Sequence, residues 1–360
     1  MIEGWKKVQV LEICTKGSSN IAQNKIEDNF GEYPLYGASG FLKKIDFYHQ
    51  EKPYIGIVKD GSGVGRVGFY PAKSSLLGTL QYILPKEGYD IRFVGYALKS
   101  LDLASFSTGA AIPHIYFKDY GKSFICVPPT LEEQERVVNE LDLLTGIIDK
   151  KNAQLRDLDT LVDSLFYEMF GEAEVNQKGF PLLTVDDVIQ FQGGSQPDKK
   201  YFEYEPTEGN VRLIQIRDYK TDRYITYVPK ELARRFCTED DIMIGRYGPP
   251  IFQILKGISG AYNVALMKAV PKQGNKDFIR VFLKQKRLLH YLESFSRRVA
   301  GQDGIQMDKL KAYPFPFPPM ELQNRFAKQY HEIEKQKLVV SQSMAECESL
   351  LSSRMSHYFD

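Results

Sequence analysis

Residues 124–170 read FICVPPTLEEQERVVNELDLLTGIIDKKNAQLRDLDTLVDSLFYEMF, and residues 314–359 read PFPFPPMELQNRFAKQYHEIEKQKLVVSQSMAECESLLSSRMSHYF. The double prolines Pro128-Pro129 and Pro318-Pro319 superimpose. After a one-residue gap Gln134 meets Gln323, Arg136 meets Arg325 and Phe170 meets Phe359. Each stretch starts as a short apolar strand, passes two prolines and enters a helix of roughly 40 residues. The regions in front are weakly alike as well: Gly4-Trp5 with Val8 and Ile13 parallels Gly179-Phe180 with Leu183 and Val188. A period this long reads as a duplication, so the chain runs unit, long helix, unit, long helix. The boundaries fall at 1–127, 128–171, 172–319 and 320–360.

The first helix has a start signal. Thr130 is placed to cap it, Glu133 completes a capping box, and the prolines block extension backwards. Its seam runs Gln134, Val137, Leu141, Leu144, Ile148, Lys151, Leu155, Leu158, Val162, Leu165, Met169, in unbroken steps of three and four. That is a heptad pattern, which predicts a coiled coil. The second helix carries Phe326, Tyr330, Ile333, Val340, Met344, Cys347, Leu351 and Tyr358, interrupted by Lys337 and Arg354. Each helix is expected to be roughly 60 Å long, too long to hide its seam on one small domain. The partner is the other helix. Because the first leads away from its unit and the second must return, the pair is expected to be antiparallel, with a globular unit at either end.

The 360 residues are 43% hydrophobic and 26% charged, which is globular composition and excludes a largely disordered or collagen-like chain. No apolar run approaches a membrane span and the start, MIEGWKKVQV, has no signal-peptide core, so a cytoplasmic protein without membrane association is expected. Cys14, Cys126, Cys237 and Cys347 are scattered, without a CxxC pair, so neither a zinc site nor a disulfide framework is indicated. The net charge of +1 conceals a segregation: residues 1–127 carry +3, 128–171 carry −6, 172–319 carry +5 and 320–360 carry −1. Positive charge sits in the globular units and the first helix is acidic, so a phosphate backbone would be drawn to the units.

A duplicated unit that ends in an apolar strand, Pro-Pro, a Leu/x-Glu-x-Gln motif and a long helix resembles the specificity (S) subunits of type I restriction-modification systems. The likeness rests on Pro128, Pro129, Glu133, Gln134 and Arg136, with Pro318, Pro319, Gln323 and Arg325 in the second copy. Tyr33 to Gly40, Tyr54 to Gly65 and Ser107 to Pro113 look like family recognition-domain segments, as do Ile214 to Asp218, Ile242 to Gly248 and Ala300 to Ile305 in the second unit. The second copy departs from the pattern where Leu322 replaces the glutamate. The resemblance implies an α/β (α+β) fold of two target-recognition domains separated by two long antiparallel coiled-coil helices. It implies a chain that reads double-stranded DNA, each unit taking one half of a bipartite, asymmetric target, while the helices set the spacing. The implied partners are two modification (methyltransferase) subunits and ATP-dependent restriction subunits. S-adenosylmethionine, ATP and Mg belong to those partners, and no cofactor is expected in this chain. Glu133, Gln134, Arg136, Gln323 and Arg325 mark the helix surfaces expected to dock them.

Base reading needs side-chain forks at base edges and cations at phosphates. The candidates in the first unit are Lys43, Lys44, Lys59, Ser62, Arg66, Thr108 and His114. In the second they are Gln215, Arg217, Lys220, Arg223, Arg246, Tyr247, Arg297, Arg298 and Gln302. Catalytic and metal signatures are not found. Gly63-Val-Gly-Arg-Val-Gly68 matches a dinucleotide fingerprint, yet the β-forming residues after it predict a turn between strands. Gly248-Pro-Pro-Ile251 lacks the polar leader and the aromatic of a methyltransferase motif. Glu239-Asp240-Asp241 reads as a solvated acidic turn. A reader without chemistry of its own is expected. A coiled-coil scaffold joining two protein-binding modules is the alternative, although it does not require the charge segregation.

Overall fold

The computed structural model describes residues 2–109, 112–248, 250–296 and 304–359. The chain divides into two compact units, one formed by Met1–Ala153 with Val340–Asp360 and the other by Gln154–Val339.

The first unit is built on an antiparallel sheet in the order Cys14–Ser18, Leu80–Pro85, Tyr54–Val58, Val67–Tyr70. The inner strand Tyr54–Val58 is buried along its whole length, as its unbroken apolar run requires. Its Gly56 lies under the ring of Tyr70, where an added Cβ would come within 2.5 Å of Cε2. A smaller sheet pairs Tyr33–Gly37 antiparallel with Gly40–Ile45 and parallel with Ser75–Leu76. The helix Ile91–Ser100 buries Phe93, Val94, Ala97 and Leu98 in the core and is capped by Asp90, whose carboxylate accepts from Phe93 N at 2.8 Å. The hairpin joining Tyr54–Val58 to Val67–Tyr70 contains the glycine run 63–68. Its last residues are strand and not helix, as the β-forming residues predict.

The second unit repeats this plan. Its main sheet runs Ile189–Gly193, Leu266–Pro271, Ile242–Gly245, Gln253–Lys256, again antiparallel throughout. Its smaller sheet pairs Asn210–Ile214 antiparallel with Tyr227–Pro229 and parallel with Gly260–Tyr262. The helix Lys276–Leu283 is capped by Asn275, which accepts from Asp277 N at 2.9 Å. The main sheets of the two units share strand order and senses, while the smaller sheet of the second unit gains a fourth strand, Phe236–Cys237, antiparallel to Gly260–Tyr262.

The two long helices span Leu131–Phe170 and Met320–Phe359. All eleven seam positions of the first are buried or half-buried, from Gln134 to Met169. On the second helix Lys337 and Arg354 are also half-buried. Within the second unit Lys337 bonds Asp159 of the first helix at 2.7 Å, while Phe326 meets Phe170 with ring centroids 5.4 Å apart, so the helices run antiparallel. Within the first unit Arg354 bonds Glu140. The two cations that break the apolar repeat therefore each meet a carboxylate on the facing helix. No helix among the described residues is long and apolar enough to cross a membrane.

Candidate nucleic-acid interface

In each unit the residue directly after the inner sheet strand is cationic and identically tied. Lys59 N donates to Thr79 O at 2.9 Å, and Arg246 N donates to Ala265 O at 2.9 Å. The next residue then bridges to a distant loop, Asp60 to His114 and Tyr247 to Gly304. Lys59 and Arg246 thus occupy one position of the repeat.

Two loops of the first unit close together around this point. Gly61 N donates to Pro113 O at 3.0 Å, Ile115 N to Lys59 O at 3.0 Å, and Thr108 and His114 exchange backbone bonds of 2.9 Å. The Asp60 carboxylate bonds His114 Nδ1, which fixes the ring, and Lys59 Nζ lies 3.8 Å from Asp60. Tyr116 packs on His114 with centroids 4.2 Å apart, and the Lys118 ammonium sits 5.2 Å over the Tyr116 ring. Arg66 Nη1 donates to Ala38 O at 3.0 Å, which ties the turn after Tyr33–Gly37 to the same region. Lys59, Ser62, Arg66, Thr108 and His114 are therefore brought together, with Ser62, Arg66 and Thr108 exposed. Lys43 is engaged elsewhere: its Nζ donates to the carbonyls of Ile26 and Glu27 at 2.9 Å each and lies 4.1 Å over the Phe30 ring. Lys44 follows it on the same strand and is exposed.

In the second unit the segment between Asn210–Ile214 and Tyr227–Pro229 gathers four candidates. Gln215 Nε2 and Arg217 Nη2 both donate to the hydroxyl of buried Thr226, at 3.0 and 3.2 Å. The guanidinium groups of Arg217 and Arg223 lie 5.7 and 5.3 Å from the ring of Tyr224. Lys220 is exposed between them in sequence. Beneath this segment Asp218 is buried; its Oδ2 accepts from Gln215 N at 3.2 Å and lies 3.5 Å from Arg212 Nε. Burial raises its carboxyl above the usual carboxylate range, against the pull of the Gln215 N–H, Arg212 and Arg217. Arg246 Nη1 donates to Val264 O at 3.3 Å, and its guanidinium lies 5.2 Å over Tyr247. Arg297, Arg298 and Gln302 lie outside the described residues.

The residues expected on docking surfaces divide in two. Arg136 and Arg325 are exposed, and Glu133 is half-buried with its N–H on Thr130 Oγ1 at 3.2 Å. Gln134 and Gln323 are 2% and 0% exposed and are used inside their own units. Gln134 Oε1 accepts from Asp90 N at 2.7 Å, and Gln323 Oε1 accepts from Asn275 N at 2.8 Å. Each matched glutamine thus grips the cap residue of its unit's short helix.

Sequence reasoning missed Asp60, Tyr116, Asp218, Tyr224 and Thr226. The alternation of cation and aromatic in Arg223-Tyr224 was the one local signal for them. The partners of Asp60 and Asp218 come from folding.

Two dissimilar units on one repeated plan, each presenting a cation at the same end of its main sheet, define an internally duplicated α+β protein. Residues 2–157 match the family described as the type I restriction modification DNA specificity domain. That match spans the first unit and the opening of the long helix that follows it, and over those residues the chain is similar to that family. It is 23% identical over 314 residues to the type I restriction enzyme MjaVIII specificity subunit of Methanocaldococcus jannaschii, an alignment covering 76% of this chain and 71% of that one. The crystal structure of a type I restriction-modification system S subunit from M. genitalium shares its fold, with a TM-score of 0.60 at 14% identity over 99% of this chain and 96% of that one.

Proposed function

We propose that this chain is the DNA sequence-recognition subunit of a type I restriction-modification assembly, in which each unit reads one half of a bipartite target. The observation that carries this reading is the equivalence of Lys59 and Arg246: the same strand end presents a cation in both units, amid loops that otherwise differ. Shared plan with unlike loops fits two readers of unlike half-sites. In this reading the chain breaks no bonds. Methylation of adenine with S-adenosylmethionine, and any ATP- and Mg-dependent restriction, fall to partner subunits in the cytoplasm.

The long helices are the docking faces for two copies of a modification subunit and set the unread gap. Leu161 and Leu350 support this, because they occupy the same position of the repeat and are each 49% exposed, a pair of equivalent apolar footholds. Arg136 and Arg325 are likewise exposed at matched positions of the repeat.

The test is co-expression with the modification subunits of the host, followed by single-molecule sequencing of methylated adenines. The expected result is methylation confined to one asymmetric sequence split by a fixed gap. Methylation without a defined sequence would refute the proposal, and DNA binding that ignores salt would favour a protein scaffold.

A further inference from the structure

The two units differ most clearly at one connection. In the first unit, Tyr33–Gly37 turns directly into Gly40–Ile45, and the turn is pinned by Arg66 on Ala38 O. In the second unit the equivalent strands, Asn210–Ile214 and Tyr227–Pro229, are joined by the longer excursion 215–226. The strand before each connection makes the same parallel pairing, Leu35 with Ser75 and Leu213 with Ala261, so the two connections begin from one place in the repeat.

That excursion is organised around a buried acid. Asp218 Oδ2 accepts from Gln215 N and faces Arg212 Nε, while Oδ1 lies 4.0 Å from Arg217 Nε and has no hydrogen-bond partner among the described residues. Arg212 is committed further, its Nη2 bonding Asp222 at 3.1 Å. Arg217 is different: its side chain is 45% exposed, with Nη2 tied to the Thr226 hydroxyl, Nε paired at 4.0 Å with the Asp218 carboxylate and the Tyr224 ring alongside. A buried carboxylate is costly unless nearby cations and donors compensate it. Here its neighbours are the two arginines and the first N–H of the excursion. Anchoring of this kind makes the guanidinium a rigid fork with donors to spare, suited to a guanine O6/N7 edge.

We propose that Arg217 is a base-reading residue of the second unit, specific for a guanine, and that Asp218 is the positioning residue that aims it. This rests on the DNA-reading function proposed above. The first unit, whose direct turn has no such acid, reads its half-site by other groups.

The experiment is selection of preferred sequences from randomised duplexes by the full chain assembled with its modification subunits, for wild type, Arg217→Ala, Asp218→Asn and the double variant. Asn keeps an acceptor for Gln215 N and removes the charge. Arg217→Ala is expected to lower discrimination at one G·C pair by about 5- to 150-fold, leaving the other half-site intact. Asp218→Asn should weaken the same position, and the double variant should lose no more than Arg217→Ala alone. A role confined to stability would lower affinity for every sequence alike and leave that base preference unchanged. Unchanged preference in Arg217→Ala, or additive losses in the double variant, would overturn the assignment while leaving DNA reading intact. A wild type that selects no sequence would overturn both. Arg217→Lys, which keeps the charge and bulk, provides the check if the alanine variant does not fold: loss of the G·C preference supports the fork, and full retention sinks it.

Discussion

Arg354 of the second long helix forks onto Glu140 of the first: Nη2 donates to Oε2 at 3.0 Å, Nε bonds Oε1, and the Tyr358 hydroxyl joins the same carboxylate. An arginine in an apolar seam is a local defect in isolation and a register mark once its acid is opposite. Lys337 with Asp159 repeats the device in the second unit.

Replacing Arg354 with Ala should destabilise the chain by about 1 kcal/mol, since a third of each side chain remains exposed and solvent screens the pair. In a double-mutant cycle with Glu140→Gln, most of that loss should appear as coupling. The Arg354 bond holds the Glu140 carboxyl below its usual 4.5. A depressed folded pKa stabilises above the unfolded value, and the contribution is lost as pH falls through the folded one. Urea melts of wild type and variant should therefore differ at neutral pH and converge under acid. A gap that persists at acid pH would show that the loss is packing alone.

Gln134→Ala and Gln323→Ala should each cost about 1–3 kcal/mol, because each strips the acceptor from a part-buried backbone N–H. Denaturant titrations that found either change neutral would mean that water replaces the amide there. The corresponding glutamates would put a charge into the same buried sites and should be worse than alanine.

One heptad inserted into the exposed face of the first long helix, matched by one in the second, should lengthen the unread gap and leave both half-sites unchanged. Methylation mapping reads this directly. Altered half-sites, with the gap unmoved, would remove the helices from any role in spacing.

Lys59→Ala and Arg246→Ala should weaken DNA binding similarly, being equivalent positions. Taking one cation away from a phosphate should flatten the slope of log affinity against log salt by about 0.9. Anisotropy titrations across a salt series measure it. A slope identical to wild type in both variants would place these cations off the backbone.

Much of the plan was legible along the chain. The double prolines, the Thr130 cap and the steps of three and four are local signals, and the seam from Gln134 to Met169 emerged without an exposed position. The repeat was legible for the same reason, since matched residues at matched spacing need no knowledge of contacts. The candidate site was half legible. Cations in loops marked Lys59, Arg66, Arg217 and Arg246, yet the same reasoning ranked Lys43 with them, although its ammonium is bound by the carbonyls of Ile26 and Glu27.

Sequence alone determined the helices, their seam and the duplication, because helix periodicity and capping are set by residues a turn or two apart. Tertiary structure decided which polar groups stay exposed and which are taken up in internal bonds. Gln134 meets Asp90 across 44 residues and Gln323 meets Asn275 across 48. Asp60 finds His114 across 54. Whether such a side chain faces water or closes an internal bond depends on chain segments that only folding brings within reach.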